Sequence, residues 1–547
     1  MTEPGADLVV RGGRVFTVDD ARPWAEAVAL RGDRIVAVGD EADIAAMAGP
    51  ETETVDADGG LVLPGFIDSH NHVRLGTPEG LDLSSASSLA DIHELLRAHL
   101  RRDPSIEWIE AGRWTYGAIA GGRMPTASDL PDAVTGGRPA FLISYDAHTV
   151  WMNRQALARF GIGTGTERVP FGLVDLDEAG EPTGFLTGFA VMGLSRDGLA
   201  ALEPVLPGLS KDAQFRRLTG ALELAASVGI TTVVEPQNSI DDLALFQRAR
   251  EAGALGPRVI AALFHLVGTT PDEVDAFEEA ARTYDDDRFR VGPIKLYIDD
   301  VIEPHTAAML EDYANRPGER GSTFWEPDAF AELMTELDRR GLQTFTHATG
   351  DRGIRTALDA IERARAANGP RDARHQLVHC ELVHPDDQPR FAELGVIACM
   401  QPRHCSADLV AGDWLDNVGE RRQRYGFAWR SLRDAGAILA FSSDWDVAEM
   451  DPLVGVYTAL TRARLDGSDA WETQECVDLE TAIRAYTMGG AFANVVEDRR
   501  GSLVVGKQAD VAVLDRDLFE LEPAEILQTR VAATIVGGEV VYRSDAR

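Results

Sequence analysis

Eight short apolar runs, set apart by Ala-, Leu-, Arg- and Glu-rich stretches, leave this chain few ways to fold. The first begins at Phe66-Ile67, after Pro64-Gly65 breaks the preceding strand, and leads into Asp68-Ser69-His70-Asn71-His72. The others are Gly229–Glu235, Arg258–Phe264, Gly292–Ile298, Gln343–His347, His375–His379, Val396–Met400 and Ile438–Ser443. Strands that alternate with helices form parallel sheets, and eight of them fit a closed (β/α)8 TIM-like barrel. An open doubly wound sheet would call for a dinucleotide-type glycine fingerprint, and the sequence has none. The expected fold class is therefore α/β, with chemistry gathered at the C-terminal ends of the strands.

At 547 residues the chain exceeds one ordinary domain. Residues 1–62 and 500–547 share a different texture, short β runs broken by Gly-containing turns, so both ends are expected to build one small β-sandwich domain. Residues 63–499 then form the barrel. A long excursion, about 76–226, separates the first two strands and carries Trp108, Trp114, Tyr116, Phe141 and Trp151. Leaving from the strand C-terminal rim, it is a candidate lid and substrate region. The segment from Glu480 to Gly489 reads as a helix packed on the barrel.

A formal net charge of -36 argues against nucleic acid or an anionic membrane as partner. The acidity is spread along the chain, which favours solubility. Residues 1–7 have neither a basic start nor an apolar segment, so no signal peptide is expected. Cys380, Cys399, Cys405 and Cys476 form no Cys-x-x-Cys pair and read as reduced thiols in a cytoplasmic protein. The expected partner is a small-molecule substrate, and a homodimer is compatible with the sequence.

Polar residues fall at the ends of the apolar runs. His70 and His72 end the first; in an extended strand they would share a face and suit one metal ion. Lys295 lies in the fourth, His347 ends the fifth, His379 the sixth, and Asp444 follows the eighth. Each histidine alone is as readily structural, and Asp444 also fits a helix N-cap. Their common position is the stronger signal. Lysine occurs only at 211, 295 and 507, so one amid Ile294, Leu296 and Ile298 calls for a reason. A neutral amine can add CO2, and the resulting carbamate supplies two anionic oxygens that bridge two cations. Two divalent ions, zinc for preference, then draw on His70, His72, carbamylated Lys295, His347, His379 and Asp444. Asp444 would also take the proton from a metal-activated hydroxide as it attacks.

The run Pro64-Gly65-Phe66-Ile67-Asp68-Ser69-His70-Asn71-His72, followed by Lys295, His347, His379 and Ser443-Asp444, resembles the amidohydrolase superfamily. Gly501–Leu514 is similar to that superfamily's terminal β segment. Asp146–Asn153, His347-Ala348-Thr349-Gly350-Asp351-Arg352 and Met400-Gln401-Pro402-Arg403-His404 resemble the branch containing N-substituted formamide deformylase (amidohydrolase family 3). The resemblance covers nearly the whole chain. It implies hydrolysis of a non-peptide, amide-type C–N bond in a small, hydrophobic or aromatic N-substituted substrate. It gives His148 a catalytic role on the substrate or its developing oxyanion, although a lid-stabilising histidine fits equally. Tyr297, Gln401, His404 and Trp445 become candidate pocket residues. One departure is that the branch's Asp-Gly pair after Lys295 is Asp299-Asp300 here; a second is the segment Pro304-His305-Thr306.

Deamination of an amino-substituted ring is the alternative. Related deaminases carry glutamate three residues after the fifth-strand histidine, where this chain has Gly350. A lyase or isomerase on the same metal scaffold, or a metal-free binding protein, completes the set of readings.

Overall fold

The computed structural model describes residues 5–74, 80–120, 123–409 and 413–544. The first residues of the excursion, 76–79, and the chain start at 1–4 lie outside them.

Eight parallel strands form the central sheet: β1 (Phe66–Asp68), β2 (Ile230–Asn238), β3 (Arg258–Phe264), β4 (Phe289–Tyr297), β5 (Thr344–Ala348), β6 (Gln376–His379), β7 (Ile397–Met400) and β8 (Ile438–Phe441). Each pairs with its sequence neighbour, from β1 through to β8. The ends meet just past the strands, where Asn71 bridges Trp445 in parallel. Two backbone bonds fix that seam: Asp444 N to His70 O at 2.8 Å and His72 N to Trp445 O at 2.7 Å. The eight expected runs are these eight strands, in the same order.

The connecting helices follow ordinary helix rules. Pro271–Thr283 starts on a capping box in which Thr270 and Glu273 satisfy each other's backbone N–H. Its Val274, Phe277 and Ala280 recur at helical spacing and bury against the strands. The segment expected as a helix from Glu480 is helical over Leu479–Arg484, loosens to a π turn at Ala485–Gly489, and resumes over Gly490–Ala493.

The excursion contains a seven-stranded sheet of its own, ordered Arg168–Val169, Gly172–Leu176, Pro182–Thr187, Val150–Met152, Ala140–Ser144, Ile109–Trp114 and Leu81–Asp82. Its two faces feed two separate cores. Phe141 and Ile143 join one with Val150 and Met152, while Ala140 and Leu142 join the other with Trp151 and Trp114. That is the period-two alternation of a sheet covered on both sides.

Two further sheets come from the termini. Ala6–Arg11, Ala27–Arg31, Arg34–Gly39 and Ala48–Asp56 make one; Arg14–Phe16, Trp24–Ala25, Leu61–Pro64, Val511–Leu514, Val531–Val536 and Glu539–Arg543 make the other. Leu8, Val10 and Val28 of the first share an apolar cluster with Val62, Val511 and Ile535 of the second. Gly501–Leu503, expected as β, forms no strand, although Leu503 N bonds to Thr17 O. The break expected at Pro64-Gly65 is where the chain passes from one sheet to the other. Leu61–Pro64 pairs in the terminal sheet and Phe66–Asp68 in the barrel. A Cβ at Gly65 would lie 2.1 Å from the Thr231 side chain, so only glycine fits the crossing.

Candidate metal centre and active site

His70 and His72 lie beyond the end of β1, so strand alternation is not what pairs them. The loop after β1 is instead pinned by Asn71 N to Val234 O and by the seam to β8. The result brings the two Nε2 atoms to 3.3 Å. Asp444, in the left-handed region at φ 56°, places Oδ1 3.2 Å from His70 Nε2 and 3.3 Å from His72 Nε2. Its Oδ2 lies 3.8 Å from His379 Nδ1 and 3.7 Å from His404 Nε2. One carboxylate therefore faces two groups of donors, His70 with His72 and His379 with His404; within each group of three, the ligand atoms lie within 4.8 Å of one another.

His347 joins this cluster from β5, its ring centroid 4.5 Å from that of His379. Its Nε2 is 3.1 Å from the backbone carbonyl of Asp300, which leaves Nδ1 as the unpartnered, buried nitrogen. Lys295 is wholly buried. Its Nζ has no hydrogen-bond partner and sits 4.5 Å from the Tyr297 ring centroid and 5.2 Å from that of Phe345. Burial pushes its pKa down to about 7, with Asp444 opposing, so much of the amine is neutral near pH 7.

Electrostatics elsewhere in the cluster favour neutral imidazoles around one anion. Burial and the nearby Lys295 push His70 down to about 3. Burial likewise holds His347 and His379 well below the usual imidazole value. Burial alone would raise Asp444, but His70, His72 and His379 hold it well below the ordinary carboxylate range.

These residues fit a divalent cation. His70 Nδ1, His72 Nδ1, His347 Nδ1, His404 Nε2, Lys295 Nζ and Asp444 Oδ1 are all buried without hydrogen-bond partners. The His contacts to Asp444 Oδ1 are close but lack hydrogen-bond geometry. Orphaned polar atoms are costly and rare inside proteins, and these belong to neighbouring residues of one buried cluster. Neutral imidazoles with a carboxylate suit zinc and its first-row neighbours.

His148 reaches the cluster from the excursion. Its Nδ1 bonds to Asp300 Oδ1, and its ring centroid lies 5.3 Å from that of His347. Burial would lower its pKa, yet Asp300, Asp146 and Asp444 together keep it above the ordinary value. It lines two small cavities beside the cluster, one of ≈ 30 Å³ that also meets Tyr145, Glu303 and Glu381, and one of ≈ 20 Å³ that meets Gln237 and Tyr297.

The other candidates divide. Tyr297 borders the second cavity and extends its hydroxyl to Gln237 Oε1 at 3.3 Å. His404 lines the first cavity and also stands among the candidate metal donors. Gln401 donates to Ser442 Oγ at 2.8 Å, and Trp445 packs against the central core; neither lines these two cavities. His305 bonds to Asn315 Oδ1 at 3.0 Å, apart from the donor cluster.

Two aspartates gain roles that the sequence did not reveal. Asp68, at the end of β1, accepts bonds from Ser443 N at 2.9 Å, Ser443 Oγ at 2.5 Å and Asn71 Nδ2 at 2.8 Å. It thereby fixes the residues on either side of the seam that carry His70, His72 and Asp444. Asp299 accepts from the backbone N–H groups of Ala308, Thr349 and Gly350, all within 2.9–3.0 Å, and so anchors the loop after His347. A signal for Asp68 existed in its place directly before Ser69-His70; none existed for the pairing of Asp300 with His148.

Comparison with known proteins agrees with this architecture. The family model described as "Amidohydrolase family" matches residues 53–542. The chain is 30% identical over 550 residues to Protein LONG AFTER FAR-RED 3 of Arabidopsis thaliana, covering 98% of this chain and 92% of that protein. It is 28% identical over 561 residues to N-substituted formamide deformylase of Arthrobacter pascens, covering 98% of each. Its fold is similar to that of an uncharacterized metal-dependent hydrolase from Pyrococcus furiosus, with a TM-score of 0.69 at 24% identity over 94% of this chain and 99% of that one. The matched length, the barrel and the donor cluster at its mouth agree: the chain is an enzyme of the amidohydrolase family.

Proposed function

We propose that this enzyme hydrolyses a non-peptide, amide-type C–N bond in a small substrate with a hydrophobic or aromatic N-substituent. The observation that carries the reading is Asp444 set between two groups of imidazole donors, with the unpartnered amine of Lys295 buried beside them. His70, His72, His347, His379 and Asp444 would hold two divalent ions, zinc by donor chemistry, and Lys295 would bridge them as its carbamate; His404 is placed to assist. A bound divalent ion acidifies water and polarises a carbonyl.

The protein's own groups supply the rest. Asp444 is a strong anion at the centre of the site, suited to accept a proton from the attacking water at Oδ2 and return it to the leaving nitrogen. His148, steadied by Asp300 at Nδ1 and kept above the ordinary imidazole value by nearby carboxylates, would offer Nε2–H to the carbonyl oxygen as negative charge develops there. The excursion that carries His148 is the lid in this reading, and the two terminal sheets form the small β-sandwich domain.

Ring deamination is disfavoured at Gly350. A Cβ there would lie 2.2 Å from the carbonyl oxygen of Ala308, so the glutamate of ring deaminases has no room without moving that loop. The test is elemental analysis of the purified protein, followed by turnover of amides, formamides, lactones and aminated heterocycles with zinc and bicarbonate present. Hydrolysis of amides or formamides supports the proposal. Turnover confined to aminated rings, or no bound metal and no activity after reconstitution, refutes it.

A further inference from the structure

The two cavities beside the donor cluster are too small for a substrate. At ≈ 30 and ≈ 20 Å³ each holds about a water molecule or the reacting group itself. The rest of the substrate must lie elsewhere. A chamber of ≈ 830 Å³ opens next to them, within the ordinary range for small-molecule sites. Tyr297 is common to this chamber and the smaller cavity. The helix Phe189–Met192 and the turn after it form a partition: Ala190 and Leu194 face the cluster side, while Val191, Met192 and Ser195 line the chamber.

The chamber walls are chemically one-sided. Leu173, Val191 and Met192 come from the excursion; Phe264, Phe324 and Trp325 come from the barrel side. Among the described lining residues the charged groups are Arg168 and Asp197, both exposed. His265 also lines it, its buried Nδ1 without a partner. Leu173 and Val267, at 40% and 60% exposure, present apolar surface to water at this chamber. A carboxylate or ammonium would find no buried counter-ion within, whereas an alkyl or aryl group would find aromatic and aliphatic contacts.

We propose that this chamber is a substrate subsite for an uncharged alkyl or arylalkyl group, which passes Tyr297 so that the attached amide reaches the donor cluster. The subsite rests on the amide-hydrolase reading and gives its hydrophobic substituent a place. Substrates long enough to fill the chamber are then preferred to short ones, and the excursion selects by length.

The experiment uses the full-length, zinc-loaded enzyme and a series of N-alkylformamides from methyl to octyl. In the wild type kcat/KM rises about fourfold per added methylene over the first several members. Leu173→Glu, on an exposed wall residue, and Met192→Trp, which fills the space, flatten the series so that octyl and methyl members converge. Isothermal titration with 1-octanol provides a readout independent of turnover: the wild type binds it and Met192→Trp does not. A flat wild-type series, an unchanged slope in both variants, or absent 1-octanol binding overturns the subsite. If no amide is hydrolysed at all, the hydrolase reading fails by itself, and 1-octanol binding still decides the chamber.

Discussion

His148 Nδ1 and Asp300 Oδ1 are hydrogen-bonded across 152 residues of sequence, joining the excursion to the barrel. The same Asp300 accepts at its backbone carbonyl from His347 Nε2 and Thr349 Oγ1. One residue thus orients an imidazole on each side of the cleft. His148→Ala is expected to lower kcat by about 100-fold with metal content unchanged. Asp300→Asn should lower kcat less, and should add almost nothing in the His148→Ala background. Steady-state kinetics with elemental analysis check this; loss of metal from His148→Ala would place His148 among the ligands instead.

Lys295→Arg is expected to cut activity by more than about 100-fold while the circular dichroism spectrum stays native. Arginine cannot form the carbamate and would keep its charge beside the divalent ions proposed for the site. Lys295→Ala should be partly rescued by propionate, which restores a carboxylate in the vacated space. Near-normal turnover by Lys295→Arg would exclude the bridging role.

Chelation is expected to abolish turnover and to lower the melting temperature. An ion present at about 1,000 times its Kd stabilises the native state by about 4 kcal/mol. Zinc with bicarbonate should restore both properties, and zinc without bicarbonate should restore them more slowly. Differential scanning calorimetry before and after dialysis measures the change.

Acid should destabilise the fold in part through Asp242, just after β2. Burial opposes its ionisation, but Arg74 and Lys211 hold its pKa at about 2, against 3.8 for an ordinary aspartate. Because the folded value is depressed, its contribution of about 2 kcal/mol is complete above pH 4 and is lost as pH falls towards 2. Wild type should therefore be more stable than Asp242→Asn at pH 7, and the gap should close between pH 4 and 2. Urea denaturation of both proteins across that range reads the difference.

The barrel was legible because each strand is a continuous apolar run with a polar residue at its end, and burial on both faces demands such a run. The excursion's sheet was not. Its strands are as short as Leu81–Asp82 and Arg168–Val169, and their partners are set by tertiary pairing rather than local pattern. The donor positions could be read from strand ends, but the atoms could not. His404 follows β7 in a short 3-10 turn, Pro402–Cys405, and only folding shows that turn aiming its imidazole at Asp444. Likewise the Asp299-Asp300 departure from the branch pattern showed no partners in the sequence. Asp299 ties down backbone, and Asp300 reaches a partner on another layer.

The crossing at Gly65 leaves no slack between the terminal sheets and the catalytic cup. One residue before it the chain pairs with Val511; one residue after it, with Ile230. Asp510, adjoining that pairing, neutralises the buried Arg258 at the start of β3 through two bonds of 2.8 Å. A barrel excised from its flanking segments would carry a guanidinium without its carboxylate partner and a first strand with nothing to hold its upstream end. The two flanking β segments are therefore a mooring for the strand that delivers His70 and His72, rather than an ornament that a minimal enzyme can shed.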